Sequence, residues 1–183
     1  VWSDSETGSA YYSRGTVLQG DATLEPGEVA RFHAPAQTCE FVLDAKVAED
    51  PKGRLHLVYV VPLDQGRGVY YLRSDDTGMS WSDPVRVFDA AAEGWQRLGQ
   101  TSLAVDSAGS VYAVWIRQSM VRGTPEGVYF ATSSDGLNWS PATEIVSGLM
   151  ERPALGISRQ RQLHVVWYDA ERVAWRHAWS IDA

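Results

Sequence analysis

Val111-Tyr112-Ala113-Val114-Trp115-Ile116 is the stretch on which the fold turns, because the chain repeats it. Leu55-His56-Leu57-Val58-Tyr59-Val60 and Leu163-His164-Val165-Val166-Trp167-Tyr168 match it, and Val1-Trp2 reads as the tail of a fourth copy. The aromatic anchors Trp2, Tyr59, Trp115 and Trp167 stand 57, 56 and 52 residues apart. A second set follows each anchor: Ala10-Tyr11-Tyr12-Ser13, Val69-Tyr70-Tyr71-Leu72, Val128-Tyr129-Phe130-Ala131 and, more loosely, Val173-Ala174-Trp175. A third set precedes it: Thr101-Ser102-Leu103-Ala104-Val105-Asp106 matches Pro153-Ala154-Leu155-Gly156-Ile157-Ser158, and Asp44 to Ala48 fills the same slot less closely. Self-similarity at about 50 residues marks a repeat architecture in which each unit buries its faces against its neighbours.

Working outward, each set is rich in β-branched and aromatic residues and bounded by Gly, Asp or Pro, the signature of strands. Phe88 to Trp95 is the one stretch that reads as a turn of helix. Four strands per repeat is the pattern of a β-propeller blade. The fold class is therefore all-β, a propeller of four-stranded antiparallel blades, over approximate repeats 1–35, 36–95, 96–148 and 149–183. Labelled a to d outward from the axis, the strands of the third repeat are expected near 102–106, 111–116, 127–132 and 142–146. Near-continuous apolar runs in a and b fit burial on both faces.

Two further strings occupy the place between strands c and d. They are Ser74-Asp75-Asp76-Thr77-Gly78-Met79-Ser80-Trp81 and the one-residue-shorter Ser133-Ser134-Asp135-Gly136-Leu137-Asn138-Trp139. A tight turn leaves backbone N–H groups without ladder partners, and Asp and Ser oxygens can accept from them. Glycine supplies a positive φ. Ser74, Asp76, Gly78 and Trp81, with Ser133, Asp135, Gly136 and Trp139, are thus structural turn residues. Asp76→Ala should cost stability and spare ligand affinity.

These strings resemble the Asp-box, or BNR repeat, of the sialidase superfamily, and the resemblance extends over residues 45–175. It implies that such turns lie on the face opposite a ligand site. The ligand face would then carry the b–c loops, holding Asp4 and Glu6, Asp64 to Arg67, Arg117 to Pro125 and Asp169 to Arg172. It would also carry the d–a connections, holding Glu93, Trp95 and Arg97, then Glu151 and Arg152. A sialidase site combines arginines that clamp a carboxylate, a Tyr–Glu nucleophile pair and an acid. Arg97 and Arg152 are the candidate arginines, and Asp169 and Glu171 the candidate acids. The family's first-arginine motif is missing, since the nearest string, Phe32-His33-Ala34-Pro35, has no arginine. Trp95 and Trp179 read as packing residues before sugar platforms, and His56, Tyr112 and His164 share a blade-packing position.

Composition narrows the function. Formal net charge is −7, which argues against a nucleic-acid partner. No run of about 20 apolar residues predicts membrane insertion. Cys39 is the sole cysteine and reads as a buried inert thiol. No metal site or cofactor motif is recognisable. The first repeat lacks a Ser/Asp turn and continues into a hairpin expected at Thr16 to Ala34, and the fourth repeat stops before a strand d. Six such blades would need about 330 residues, so a partial ring is expected, completed by blades from the same or another chain. The leading functional expectation is a non-catalytic extracellular or cell-surface module that binds a glycan or protein partner on the ligand face. The alternatives are part of a sialidase-like exo-glycosidase and a structural subunit of a surface assembly.

Overall fold

A computed structural model describes residues 2–4, 9–13, 29–32, 42–63, 65–119 and 125–180. They form four consecutive antiparallel sheets. The first holds β1 (Trp2–Asp4), β2 (Ser9–Ser13) and β3 (Val29–Phe32). The second runs β4 (Leu43–Glu49), β5 (Leu55–Val61), β6 (Gly68–Ser74) and β7 (Val85–Asp89), in that spatial order. The third repeats it with β8 (Arg97–Val105), β9 (Val111–Gln118), β10 (Pro125–Ser133) and β11 (Thr143–Ser147). The fourth holds β12 (Met150–Ile157), β13 (Leu163–Asp169) and β14 (Ala174–Trp179). Strands a, b, c and d are therefore β4 to β7 and β8 to β11, and each sheet has the up-and-down order of a propeller blade.

The sheets stack face to face. Val58, Val60, Val69 and Tyr71 of the second meet Leu98, Leu103, Ala113 and Trp115 of the third. Val114, Ile116 and Val128, on the other face of the third, meet Met150, Val165 and Trp167 of the fourth. Leu57, Tyr59, Val61 and Tyr70 pack toward Tyr12 of the first sheet. Every residue of β5 is buried, whereas β13 alternates buried and half-buried positions. A strand covered on both faces has no solvent side; one covered on one face shows period two. Burying a Val or Leu side chain contributes about 1.5–3 kcal/mol, so these interfaces supply most of the stabilisation.

Three expectations change. Phe88 to Trp95 is not helical: β7 runs to Asp89, and a turn follows in which Trp95 N donates to Ala90 O at 2.8 Å. The Asp89 carboxylate accepts from Ala92 N at 2.9 Å and stops the turn from propagating. In the fourth sheet, Arg176, not Ala174, pairs with the anchor Trp167, as Tyr70 pairs with Tyr59. The sequence match there slips by two residues, which keeps each side chain on its face and so leaves the apolar pattern unchanged. Strands a of the third and fourth sheets begin earlier than their apolar cores, at Arg97 and Met150, because each carries an irregular residue pair. Glu6, residues 14–28 of the expected hairpin, His33 to Pro35, Cys39, Asp64 and residues 120–124 lie outside the described residues.

Candidate functional site

The c–d turns and the a–b turns share one end of the blades, called here the lower end. At the first c–d turn, Ser74 Oγ donates to Asp76 Oδ1 at 2.7 Å and accepts from Gly78 N at 2.8 Å. Asp76 also accepts from Ser80 N at 2.9 Å and Ser80 Oγ at 2.5 Å. These bonds to Ser80, with that from Ser74, hold the Asp76 carboxyl down at about 2. At the second, Asp135 Oδ1 accepts from Leu137 N and Asn138 N, each at 2.8 Å, and Oδ2 accepts from Asn138 Nδ2 at 2.8 Å. The Asn138 and Leu137 bonds hold that carboxyl still lower. Trp81 Nε1 donates to Gly78 O at 3.2 Å, whereas Trp139 Nε1 is buried without a partner.

The a–b turns hold two further carboxylates that the repeat search overlooks. Asp50 is 4 % exposed, and its Oδ1 accepts from Lys52 N at 2.8 Å and Arg54 N at 3.0 Å. Its Oδ2 accepts from Arg54 Nε at 2.6 Å. Burial pushes its pKa up, but the Arg54 and Lys52 bonds prevail and hold it at about 2. Asp106 does the same with Ala108 N and Ser110 N, both at 2.8 Å, and with Arg161 Nη2 of the next blade at 3.1 Å. A hollow of about 460 Å³ lies among these turns, lined by Asp50, Asp106, Ser158 and Arg161. Its carboxylates are saturated by their own turns, and it offers little to a ligand.

The upper end differs. Strand a of each of three sheets breaks register once near its upper start: between Leu43 and Lys46, between Gly99 and Ser102, and between Glu151 and Ala154. Each break places a non-glycine residue in the left-handed region: Asp44 at φ 51°, Gln100 at 52° and Arg152 at 54°. Such a conformation costs about 1–3 kcal/mol and persists only where the surroundings enforce it. Here the surroundings are the adjacent blades. Gln100 N donates to Asp44 Oδ2 at 2.7 Å, and Arg152 N donates to Gln100 Oε1 at 2.6 Å. Thr101 Oγ1 donates to the Asp44 carbonyl. A methyl at Gly99 would stand 3.3 Å from Asp44 Oδ2, so glycine leaves the carboxylate its room. The bulges thus form a ladder across the innermost strands, each side chain accepting from the next bulge's backbone. Arg152 has no acceptor atom in its side chain and ends the run. Among the described residues, Asp44 Oδ1, Gln100 Nε2 and the exposed Arg152 guanidinium stay uncommitted.

The candidates named from sequence fall as follows. Arg152 sits on the ladder, and Glu151 precedes it, paired in register with Tyr168. Arg97 opens β8, half-buried, and its Nε is buried without a partner. Asp169 ends β13 and is 2 % exposed. It accepts from Arg172 N at 3.0 Å and Arg172 Nη1 at 2.9 Å, with Arg176 Nε at 3.6 Å. Burial opposes its ionisation, yet the Arg172 bonds and the two guanidinium charges prevail and lower its pKa, so at neutral pH it holds no proton to donate. Asp4 ends β1 as Asp169 ends β13. Glu171 is exposed on the turn beyond. Among the described residues no hydrogen bond or ion pair joins Arg97 or Arg152 to Asp169 or Glu171. Trp95 is 5 % exposed, with Phe88 and Tyr129 rings each 4.4 Å away and Arg117 over it at 5.1 Å, so its faces are occupied. Sequence reasoning missed Asp44 and Gln100, although the ladder steps of 56 and 52 residues equal the anchor spacings.

No family model matches the chain, and no curated protein sequence matches it. Solved structures do. An α-L-arabinanase of Penicillium chrysogenum complexed with arabinobiose superposes with a TM-score of 0.64 at 15% identity, over 94% of this chain and 55% of that one. A Hadza microbial sialidase gives 0.59 at 16% identity, over 86% and 42%. The NanB sialidase of Streptococcus pneumoniae gives 0.52 at 16% identity, over 89% and 24%. The chain therefore spans only about half, or less, of the length of these structures. At such identities the likeness shows the fold alone: an all-β partial propeller of antiparallel blades, shared with glycan-related enzymes.

Proposed function

We propose that the chain is a carbohydrate-recognition module of an Asp-box-type propeller, non-catalytic and extracytoplasmic, that holds a sugar over the upper mouth of its innermost strands. The observation that carries the reading is the bulge ladder. Strained backbone outliers gather where a ligand must be met, and three of them here leave one carboxylate oxygen, one amide and one guanidinium near a common axis. A carboxylate accepts from sugar hydroxyls, and a guanidinium grips a sugar carboxylate through paired N–H donors. Neighbours in fold whose names denote carbohydrate-active enzymes add support.

Recognition without turnover is the better-supported version. Acid catalysis needs a carboxyl whose pKa is raised toward neutrality. Each Asp with a displaced pKa in this structure, namely Asp50, Asp76, Asp89, Asp106, Asp135 and Asp169, is displaced downward. The test is titration calorimetry of the full-length protein against sialylated, uronate-containing and arabinan oligosaccharides. Saturable binding weakened by Arg152→Ala is expected; silence with every glycan refutes the proposal.

One observation favours a sialidase-like exo-glycosidase as a second reading. A half-buried arginine with an unpartnered Nε, as at Arg97, suits an anion clamp. Turnover of a fluorogenic sialoside by the full-length protein, abolished by Arg152→Ala or Arg97→Ala, would put this reading first.

A further inference from the structure

Register makes positions equivalent from sheet to sheet. The anchors Trp2, Tyr59, Trp115 and Trp167 pair with Tyr11, Tyr70, Tyr129 and Arg176. One residue further along strand c stand Tyr12, Tyr71, Phe130 and His177. Each described Ser/Asp turn grips that residue in the blade before it. A methyl at Gly78 would lie 2.2 Å from Tyr12 Cε1, and one at Gly136 2.7 Å from Tyr71 Cε1. The tryptophan that closes each turn meets the same ring edge-on, Trp81 on Tyr12 at 5.6 Å and Trp139 on Tyr71 at 5.4 Å. Glycine is required there for contact as well as for its φ of 94° or 77°. The turn is thus an inter-blade clamp.

The outward face of the fourth sheet carries the receiving half of such a clamp. His177 is exposed and stacks between His164, at 5.2 Å and 8°, and Trp179, at 5.4 Å and 26°. His164 Nδ1 and His177 Nε2 are 3.0 Å apart. The same diagonal pair in the second sheet is His56 Nδ1 and Tyr71 OH, 2.7 Å apart, each residue 2 % exposed beneath the third sheet. Trp175, 59 % exposed, stands where Val69 and Val128 are fully buried. β6 and β10 each have a fourth strand on their outer side, and β14 has none among the described residues.

We infer that this face is an inter-blade interface whose occupant is a fifth blade of the same propeller, closing a glycine and a tryptophan of its own c–d turn over His177. Two preceding interfaces, continuous with this one and built on the same positions, identify the occupant. The inference stands apart from the glycan reading, because it concerns a blade face and not the axial mouth.

Thiol accessibility in the full-length protein tests it. In a Cys39→Ser background, His177→Cys should react with a maleimide at least about tenfold more slowly than Met79→Cys, since a covered site must open before it reacts. Met79 is 68 % exposed and serves as the open reference. Equal rates would overturn the inference. Acrylamide quenching gives a check that does not need a cysteine at 177: Trp175→Phe should remove a blue-shifted, poorly quenched component, and loss of a quenched one counts against the fifth blade. Shielding that disappears on dilution of a self-associated species assigns the face to a second copy, and shielding that appears only with added oligosaccharide assigns it to a glycan. Either result overturns the proposal.

Discussion

The two ends of the blades use carboxylates in opposite ways. At the lower end, Asp50, Asp76, Asp106 and Asp135 each take several hydrogen bonds from their own turn, and nothing is left over. At the upper end, Asp44 spends one oxygen on the neighbouring blade and keeps the other. The lower end is locally satisfied and regular. The upper end is strained and only partly committed, held in place by adjacent sheets. A residue type therefore says little about role; the number of its atoms already engaged says more.

If the ends are truly divided in this way, lower-end changes move stability and upper-end changes move binding. Gly136→Ala should have the largest effect, because its methyl would meet the Tyr71 ring and the backbone must keep φ 77°. A loss of about 3 kcal/mol is expected from urea denaturation, with glycan affinity unchanged in the protein that remains folded. Acid comes next. The folded pKa of Asp50, about 2, lies below its model value of 3.8. Its contribution is present above the unfolded value and disappears as pH falls through the folded one. Urea midpoints measured from about pH 5 to about pH 2 should show roughly 2 kcal/mol less of this decline in Asp50→Asn.

Arg152→Ala carries the comparison to the upper end: affinity for an acidic sugar should fall about tenfold or more, with the melting temperature barely shifted. A fall in stability without a change in affinity would erase the distinction. The smallest effect is expected at Arg161, which has φ 63° where the other two a–b turns place Gly53 and Gly109. Arg161→Gly relieves that conformation and gives up an ion pair to Asp106 whose arginine is 53% exposed. A net gain of about 0.5–1 kcal/mol in thermal unfolding is the expected outcome.

The blades and the Ser/Asp turns were legible in the sequence because their chemistry is local. A Ser, an Asp, a Gly and a Trp within eight residues bond mainly to each other, and the anchors recur with strand-like neighbours. Asp169 was legible as an acid and not as a buried, ion-paired one, since Arg176 reaches it from another strand. The ladder was harder to see, because Asp44, Gln100 and Arg152 share neither charge nor shape. Only the backbone conformation and the repeat spacing unite them. Likewise the two-residue slip at β14 preserved the side-chain alternation and so left no trace in the apolar pattern.

A bond from one blade's side chain to the next blade's peptide N–H asks nothing of the next side chain. Each rung needs a single oxygen facing forward, and the rest of that residue is under no geometric obligation. Selection could then rewrite the groups around the axis one blade at a time, trading acid for amide, without redesigning how the blades fit together.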